Sequence, residues 1–221
     1  MANKNIKNTA AAPTAEEQLN KQEAFFLKYQ KAIICCVVAL ILIVAGIILY
    51  KNYVSAPREE KASTELSKAQ QLFGQEQFDK ALPLFQKVAS DYGSTDAGNL
   101  AKLYTGLCQA QLGKWQEAVD ALESFSGRDD AMISPAAEGA LGNAYAHLNK
   151  LDEAVSHLKK AAEMADNNSL SPTYLIQAGE ILESQNKKDE ALKLYQTVKE
   201  KYFNSMQYQT IDAYIERASA K

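Results

Sequence analysis

The stretch Leu141-Gly142-Asn143-Ala144-Tyr145, followed by Leu151-Asp152-Glu153-Ala154, decides the fold. Its two small residues, Gly142 and Ala154, stand twelve positions apart, and the same spacing recurs in Ala69 and Ala81, Gly106 and Ala118, and Gly179 and Ala191. Ala81, Ala118, Ala154 and Ala191 succeed one another at intervals of 37, 36 and 37 residues, each with Phe85, Leu122, Leu158 or Tyr195 four positions on. Three positions in register over four units predict paired helices stacked as a solenoid. Each unit cannot bury its apolar face alone, and its helices approach closely wherever Gly or Ala removes the side chain.

Outward from these units, turn and cap residues separate the pairs: Ser90-Asp91-Tyr92-Gly93-Ser94, Gly127-Arg128-Asp129-Asp130, Asn167-Asn168-Ser169 and Tyr202-Phe203-Asn204-Ser205. Tyr208, Ile211, Ile215 and Ala218 then form the apolar stripe of a final helix, expected over 205–221 as a cap on the last repeat. The predicted fold is all-α: an N-terminal transmembrane helix, then a right-handed solenoid of about four helix-turn-helix repeats over 62–204, then the capping helix.

Ahead of the repeats, Ala32 to Leu49 carries no charge, and eighteen residues at about 1.5 Å each roughly span a thin hydrocarbon core. Lys28, Tyr29 and Lys31 flank one end, and Tyr50, Lys51 and Tyr53 the other, as in interfacial belts. A transmembrane anchor is therefore expected over 32–53, with a connector at 54–61. A cleavable signal is the rival reading, since Val54-Ser55-Ala56 resembles a cleavage site, but the leading segment and apolar run are both long for one and Pro57 follows the bond. Lys and Arg near the two ends balance, so charge leaves the orientation open. Residues 1–31, rich in Ala, Asn, Thr and Lys toward the start, are expected to be a disordered tail and juxtamembrane segment.

Composition narrows the function. Residues 54–221 hold 18 Lys and Arg against 24 Asp and Glu, which leaves no basic stripe for nucleic acid. His147 and His157 have no partners at metal-ligand spacing, and no phosphate loop, nucleophile elbow or paired-Cys motif occurs. Cys108 is alone in the repeat region and reads as a small buried hydrophobe. The expectation is a protein that is no enzyme, with no catalytic residue, metal, cofactor or small-molecule substrate.

The glycine of each first helix and the Ala of each second resemble the tetratricopeptide repeat family, best in 141–154 and next in Trp115-Gln116-Glu117-Ala118. Gln109, where the family has Tyr or Leu, and Ala69, where it has Gly, depart from it. With one apolar segment in front, the chain is similar to YfgM-type ancillary subunits of the SecYEG translocon, membrane-anchored periplasmic chaperones. That resemblance implies a single-pass bacterial inner-membrane protein with a cytoplasmic N-terminus and periplasmic repeats. Its partners would be translocon subunits, unfolded or newly secreted polypeptides and other chaperones.

In this family the first helices line the concave face, which implies a polypeptide-binding set of Leu66, Gln70, Phe73, Leu103, Leu107, Asn143, His147, Ile176 and Glu180. Leu103 and Leu107 suit packing between helices equally well. Lys68 and Lys102 fall off these positions, which disfavours a clamp for acidic peptide termini. Two alternatives remain open: an adaptor for one folded envelope assembly or division complex, and a scaffold facing the cytoplasm.

Overall fold

The computed structural model describes residues 15–220, which are helical apart from turns and short loops. They form two units, residues 15–55 and the body from Ala56 onward. In the first, α1 runs Ala15–Tyr50, followed by a π-turn, Lys51–Ser55. Its side chains from Ile34 to Leu49 are exposed, and the segment is long and apolar enough to cross a membrane. The structure differs here from the expected tail: from Ala15 the chain is helical, and residues 1–14 lie outside the described residues. Ala15-Glu-Glu-Gln-Leu-Asn-Lys-Gln-Glu-Ala24 consists almost wholly of strong helix formers, so propensity outweighs the polar composition.

The second unit contains α2 (Ala56–Gly74), α3 (Phe78–Asp91), α4 (Asp96–Gln111), α5 (Trp115–Glu123), α6 (Ile133–His147), α7 (Leu151–Ala165), α8 (Ser171–Ser184), α9 (Lys188–Lys201) and α10 (Ile211–Ser219). Each packs on the next, and α2 also packs on α4, so the pairs α2–α3, α4–α5, α6–α7 and α8–α9 stack as a solenoid of four repeats with α10 on its end. The expected connector 54–61 contains no loop, since α2 starts at Ala56. Of the predicted cap, Ile211 and Ala218 are buried and Ile215 half-buried, but Tyr208 stands exposed in a short 3-10 turn, Met206–Gln209, ahead of α10.

The phased residues form the interior. Ala69, Ala81, Ala118, Ala154 and Ala191 are buried, as are Phe85, Leu122, Leu158 and Tyr195. A Cβ added at Gly142 would lie 2.8 Å from Leu158 Cγ and 3.1 Å from the Ala154 carbonyl oxygen, and one at Gly106 would lie 2.5 Å from Leu122 Cγ. Gly179 meets the Tyr195 ring in the same way. A large residue of the second helix thus occupies the volume that glycine vacates on the first, which is why the two positions repeat together.

A further phased position lies in the turn within each repeat. Glu76, Gly113, Asn149 and Asn186, again spaced by 37, 36 and 37 residues, have φ between 58° and 72°. After each, Gln77, Lys114, Lys150 or Lys187 donates its amide to the carbonyl five residues back, at 2.8 to 3.0 Å. This is the Schellman ending, in which a left-handed residue closes the last helical turn. Gly and Asn tolerate that conformation, and Glu76 adopts it at a cost.

Loops between repeats are held by side chains. Glu59 on α2 accepts from the amides of Asp96 (2.8 Å) and Ala97 (2.9 Å), and Thr95 accepts from Gly98 (2.9 Å), so both cap α4. Asp130 caps α6, accepting from Met132 at 2.9 Å and from Ile133 and Ser134. Ser134 and these amides hold the Asp130 carboxyl below its ordinary pKa. Asn167 bonds Ala131 of the preceding loop and its own Ser169 and Leu170.

Candidate polypeptide-binding site

The first helices of three successive repeats, α4, α6 and α8, share a groove of about 350 Å³. Leu107, Ala110 and Gln111 come from α4, Ala140, Asn143, Ala144, Ala146 and His147 from α6, and Gln177 from α8; Trp115, at the start of α5, closes one side. Trp115 and His147 lie face to face, with ring centroids 3.7 Å apart and planes at 3°. Four alanines keep the floor low, and none of these ten residues is Asp, Glu, Lys or Arg.

Of the nine residues expected on the concave face, Leu107, Asn143 and His147 line this groove. Leu66, Leu103 and Ile176 do not face solvent: they are 6%, 5% and 8% exposed and belong to the core. Phe73 is half-buried, edge-on to Phe78 at 5.2 Å and Tyr104 at 5.3 Å, in a cluster that includes Phe85 at 6.2 Å. Gln70 is half-buried and Glu180 exposed, both outside the groove lining. Residues four apart on a helix are only about 40° apart around its axis. The stripe of Leu66, Leu103 and Ile176 therefore borders that of Gln70, Leu107, Asn143 and Glu180, and packing between helices claims the first.

The sequence reading missed the other seven groove residues: four alanines, Gln111, Trp115 and Gln177. Trp115 carried a signal, since it opens a second helix in phase with Phe78 and Leu151. Gln177 carried none beyond its place next to Ile176.

Outside the groove, several ionisable residues bond within the fold. His157 Nδ1 is 2.8 Å from Glu138, which also bonds Lys160 at 2.6 Å. Burial opposes charge on Glu138, but Lys160 and His157 outweigh it and hold its pKa below the ordinary value. Glu183 accepts from Arg217 of α10 at 2.9 Å and from Tyr195 at 3.3 Å. Cys108 is fully buried, and desolvation pushes its thiol up to about 11. Among the described residues no group of His, Cys, Asp and Glu is placed to hold a metal ion. Lys68 lines a separate hollow with Glu65 and Lys87. The groove's chemistry is non-covalent contact through small apolar, amide and aromatic groups.

Phased helix pairs with a continuous groove on their first helices define a repeat scaffold of the protein-binding class. The family described as a tetratricopeptide repeat-like domain matches residues 23–213, and the chain belongs to it. No curated protein matches the chain. Among solved structures, TPR-like repeats from Podosopora anserina are 15% identical to this chain with a TM-score of 0.58, the match covering 72% of this chain and 86% of that one. YrrB, a TPR protein with an unusual peptide-binding site, is 19% identical with a TM-score of 0.50, over 79% of this chain and 86% of its own. At these identities the likeness is one of fold.

Proposed function

We propose that the chain is a membrane-anchored scaffold that holds extended polypeptide in the groove of α4, α6 and α8, as a periplasmic chaperone or accessory subunit beside the Sec translocon of a bacterial inner membrane. The observation that carries the binding role is the uncharged groove crossing three repeats, with the Trp115–His147 pair at its side. A surface without fixed charge suits partners of varied sequence, because no single charge pattern is selected. The anchor reading is supported by α1 and by a family match that begins at residue 23, ahead of the apolar segment. The translocon and the periplasmic placement rest on the resemblance of the whole chain to membrane-anchored ancillary subunits.

Photocrosslinkers at Leu107 and Asn143 in living cells test the reading. Many client masses together with translocon subunits are expected there, and few at Lys160 on α7. A single sharp adduct at both positions would favour the adaptor for one folded partner, and heavier labelling at Lys160 would move the working surface off the groove. Protease added to spheroplasts should digest the repeats without lysis, whereas survival of a domain that is cleavable when free would place them in the cytoplasm.

A further inference from the structure

The loops between repeats form one edge of the body, where each first helix begins and each second helix ends. They are tied in series. Arg58, at the start of α2, donates to the Asp91 carbonyl at 2.8 Å, and Glu59 caps α4. Asn99 then joins Ser126, Asn167 donates to the Ala131 carbonyl at 3.2 Å, the Tyr202 hydroxyl donates to Asp166 at 3.2 Å, and Gln207 donates to Thr173 at 2.9 Å. The opposite edge consists of the turns within repeats, which bear Lys114, Lys150 and Lys187.

Exposed apolar side chains are segregated to the first of these edges. Among the described residues of the body, Leu84 lies on α3 and Leu112 on the opposite edge, and the other large exposed ones are Met132, Ile133, Phe203, Met206 and Tyr208. Met206 is 83% exposed, Phe203 59% and Met132 57%, so packing within the fold does not account for them. Single exposed apolar residues are ordinary, but a set gathered on two loops of one edge marks a contact surface. The charges on this edge are largely engaged within the chain: Asp96 with Arg128, Asp166 with Lys201, and Asp130 on the amides of α6.

The occupant follows from the length of the leash. The long apolar helix ends at Tyr50, and Glu59, already bound to this edge, is nine residues on. Even fully extended, that segment reaches only about 30 Å. We propose that the edge is a second membrane contact, in which Met132, Ile133, Phe203, Met206 and Tyr208 enter the headgroup–acyl boundary of the bilayer that α1 spans. The proposal rests on the reading of α1 as an anchor and is independent of what the groove binds. Tethering sets an effective concentration on the order of mM, so a contact too weak to recruit a free domain suffices here. Since the burial is apolar and the neighbouring charges are paired, zwitterionic lipid is enough and no anionic headgroup is required.

The test places the full chain in phosphatidylcholine vesicles, at high lipid excess, with and without bromine on the acyl chains as a fluorescence quencher. Trp115, the single native Trp, is a constant background, and one further Trp is added at a time: Ile43→Trp in α1, Met132→Trp and Met206→Trp on the loop edge, and Leu112→Trp on the opposite edge. The added emission of Met132→Trp and Met206→Trp should be quenched at least about twofold more than that of Leu112→Trp. Phe203→Ser with Met206→Ser should cut the quenching of Met132→Trp by about half, since the tied loops settle on the lipid together. Quenching at Met206→Trp no greater than at Leu112→Trp, with Ile43→Trp quenched, overturns the inference and leaves the anchor standing. Quenching on the loop edge that vanishes as protein is diluted in lipid assigns the edge to a second copy of the chain and likewise overturns it. An unquenched Ile43→Trp overturns the anchor reading, and the inference with it.

Discussion

In the third repeat both helices, α6 and α7, run fifteen residues, whereas in the second α4 has sixteen and α5 only nine. The positions that continue α7 as Ala161-Ala162-Glu163 are Phe125-Ser126-Gly127 in the second repeat, where Ser and Gly favour other conformations. What α5 lacks in helix, the loop replaces with polar bonds. Asn99 pairs with Ser126, Arg128 with Asp96, and the Arg128 amide donates to Ser134 at 2.7 Å. A hollow of about 220 Å³, lined in part by Leu100, Phe125 and Ile133, remains beside that loop. One repeat period can therefore be stabilised either by filled volume or by a stitched loop, and the two should fail under different insults.

The largest effect tests the filled volume. Gly142→Val places a branched side chain where even a Cβ would stand 2.8 Å from Leu158 Cγ, so a loss of about 3 kcal/mol is expected in denaturant unfolding of the full chain. Asn168→Ala, at an exposed loop position, serves as the control and should change little. Equal midpoints for the two variants would break the packing account of the third repeat. Asn167 is unsuitable as a control, because its amide ties two loops together.

The stitched loop should respond to acid. Asp130 has a folded pKa below its ordinary 3.8, held there by the Ser134 hydroxyl and the amides it caps. Its stabilisation is therefore fully present above that ordinary value and is lost as pH falls through the lower folded value. At pH 7, Asp130→Ala should cost about 1 to 2 kcal/mol. Below pH 4 the native chain should lose stability more steeply than Asp130→Asn, which cannot titrate there. Parallel pH curves for the two would show that the loop does not depend on this carboxylate.

The filled interior was legible in the sequence because it repeats. Gly142 and Leu158 contact one another sixteen residues apart, and the same spacing joins Gly106 to Leu122 and Gly179 to Tyr195, so one contact read from the pattern gives three. The left-handed turn residues were equally periodic, but Glu76 hides the signal that Gly113, Asn149 and Asn186 give. The groove was only partly legible, because Leu66 and Gln70 lie on neighbouring stripes of one helix and only packing decides which is covered. The Trp115–His147 stack joins residues 32 positions apart, and Gln177 has no apolar or charged signature, so neither follows from phase. Start points were obscured for a different reason, since Ala15 to Ala24 is polar enough to read as tail and yet made of helix formers.

The smallest expected effect concerns the position at which the second repeat departs from its neighbours. Gln109 stands in phase with Leu72, Tyr145 and Leu182, all apolar or aromatic and packed on the core, and it is 8% exposed with an amide oxygen that finds no donor. Tyr145 at the same position donates its hydroxyl to Glu123 at 2.7 Å and stacks with His157, and the Glu123 bond helps push its pKa up to about 12. The third repeat thus makes polar and ring contacts at a site where the second buries an unmatched acceptor. Gln109→Leu keeps similar volume and removes that acceptor, so it should raise stability by about 1 kcal/mol. Tyr145→Gln should cost more than Gln109→Leu gains, since it gives up both the hydrogen bond and the stack. If Gln109→Leu lowers the unfolding midpoint, the amide is contributing to the packing of α4, and the second repeat is matched to its own sequence as closely as the third.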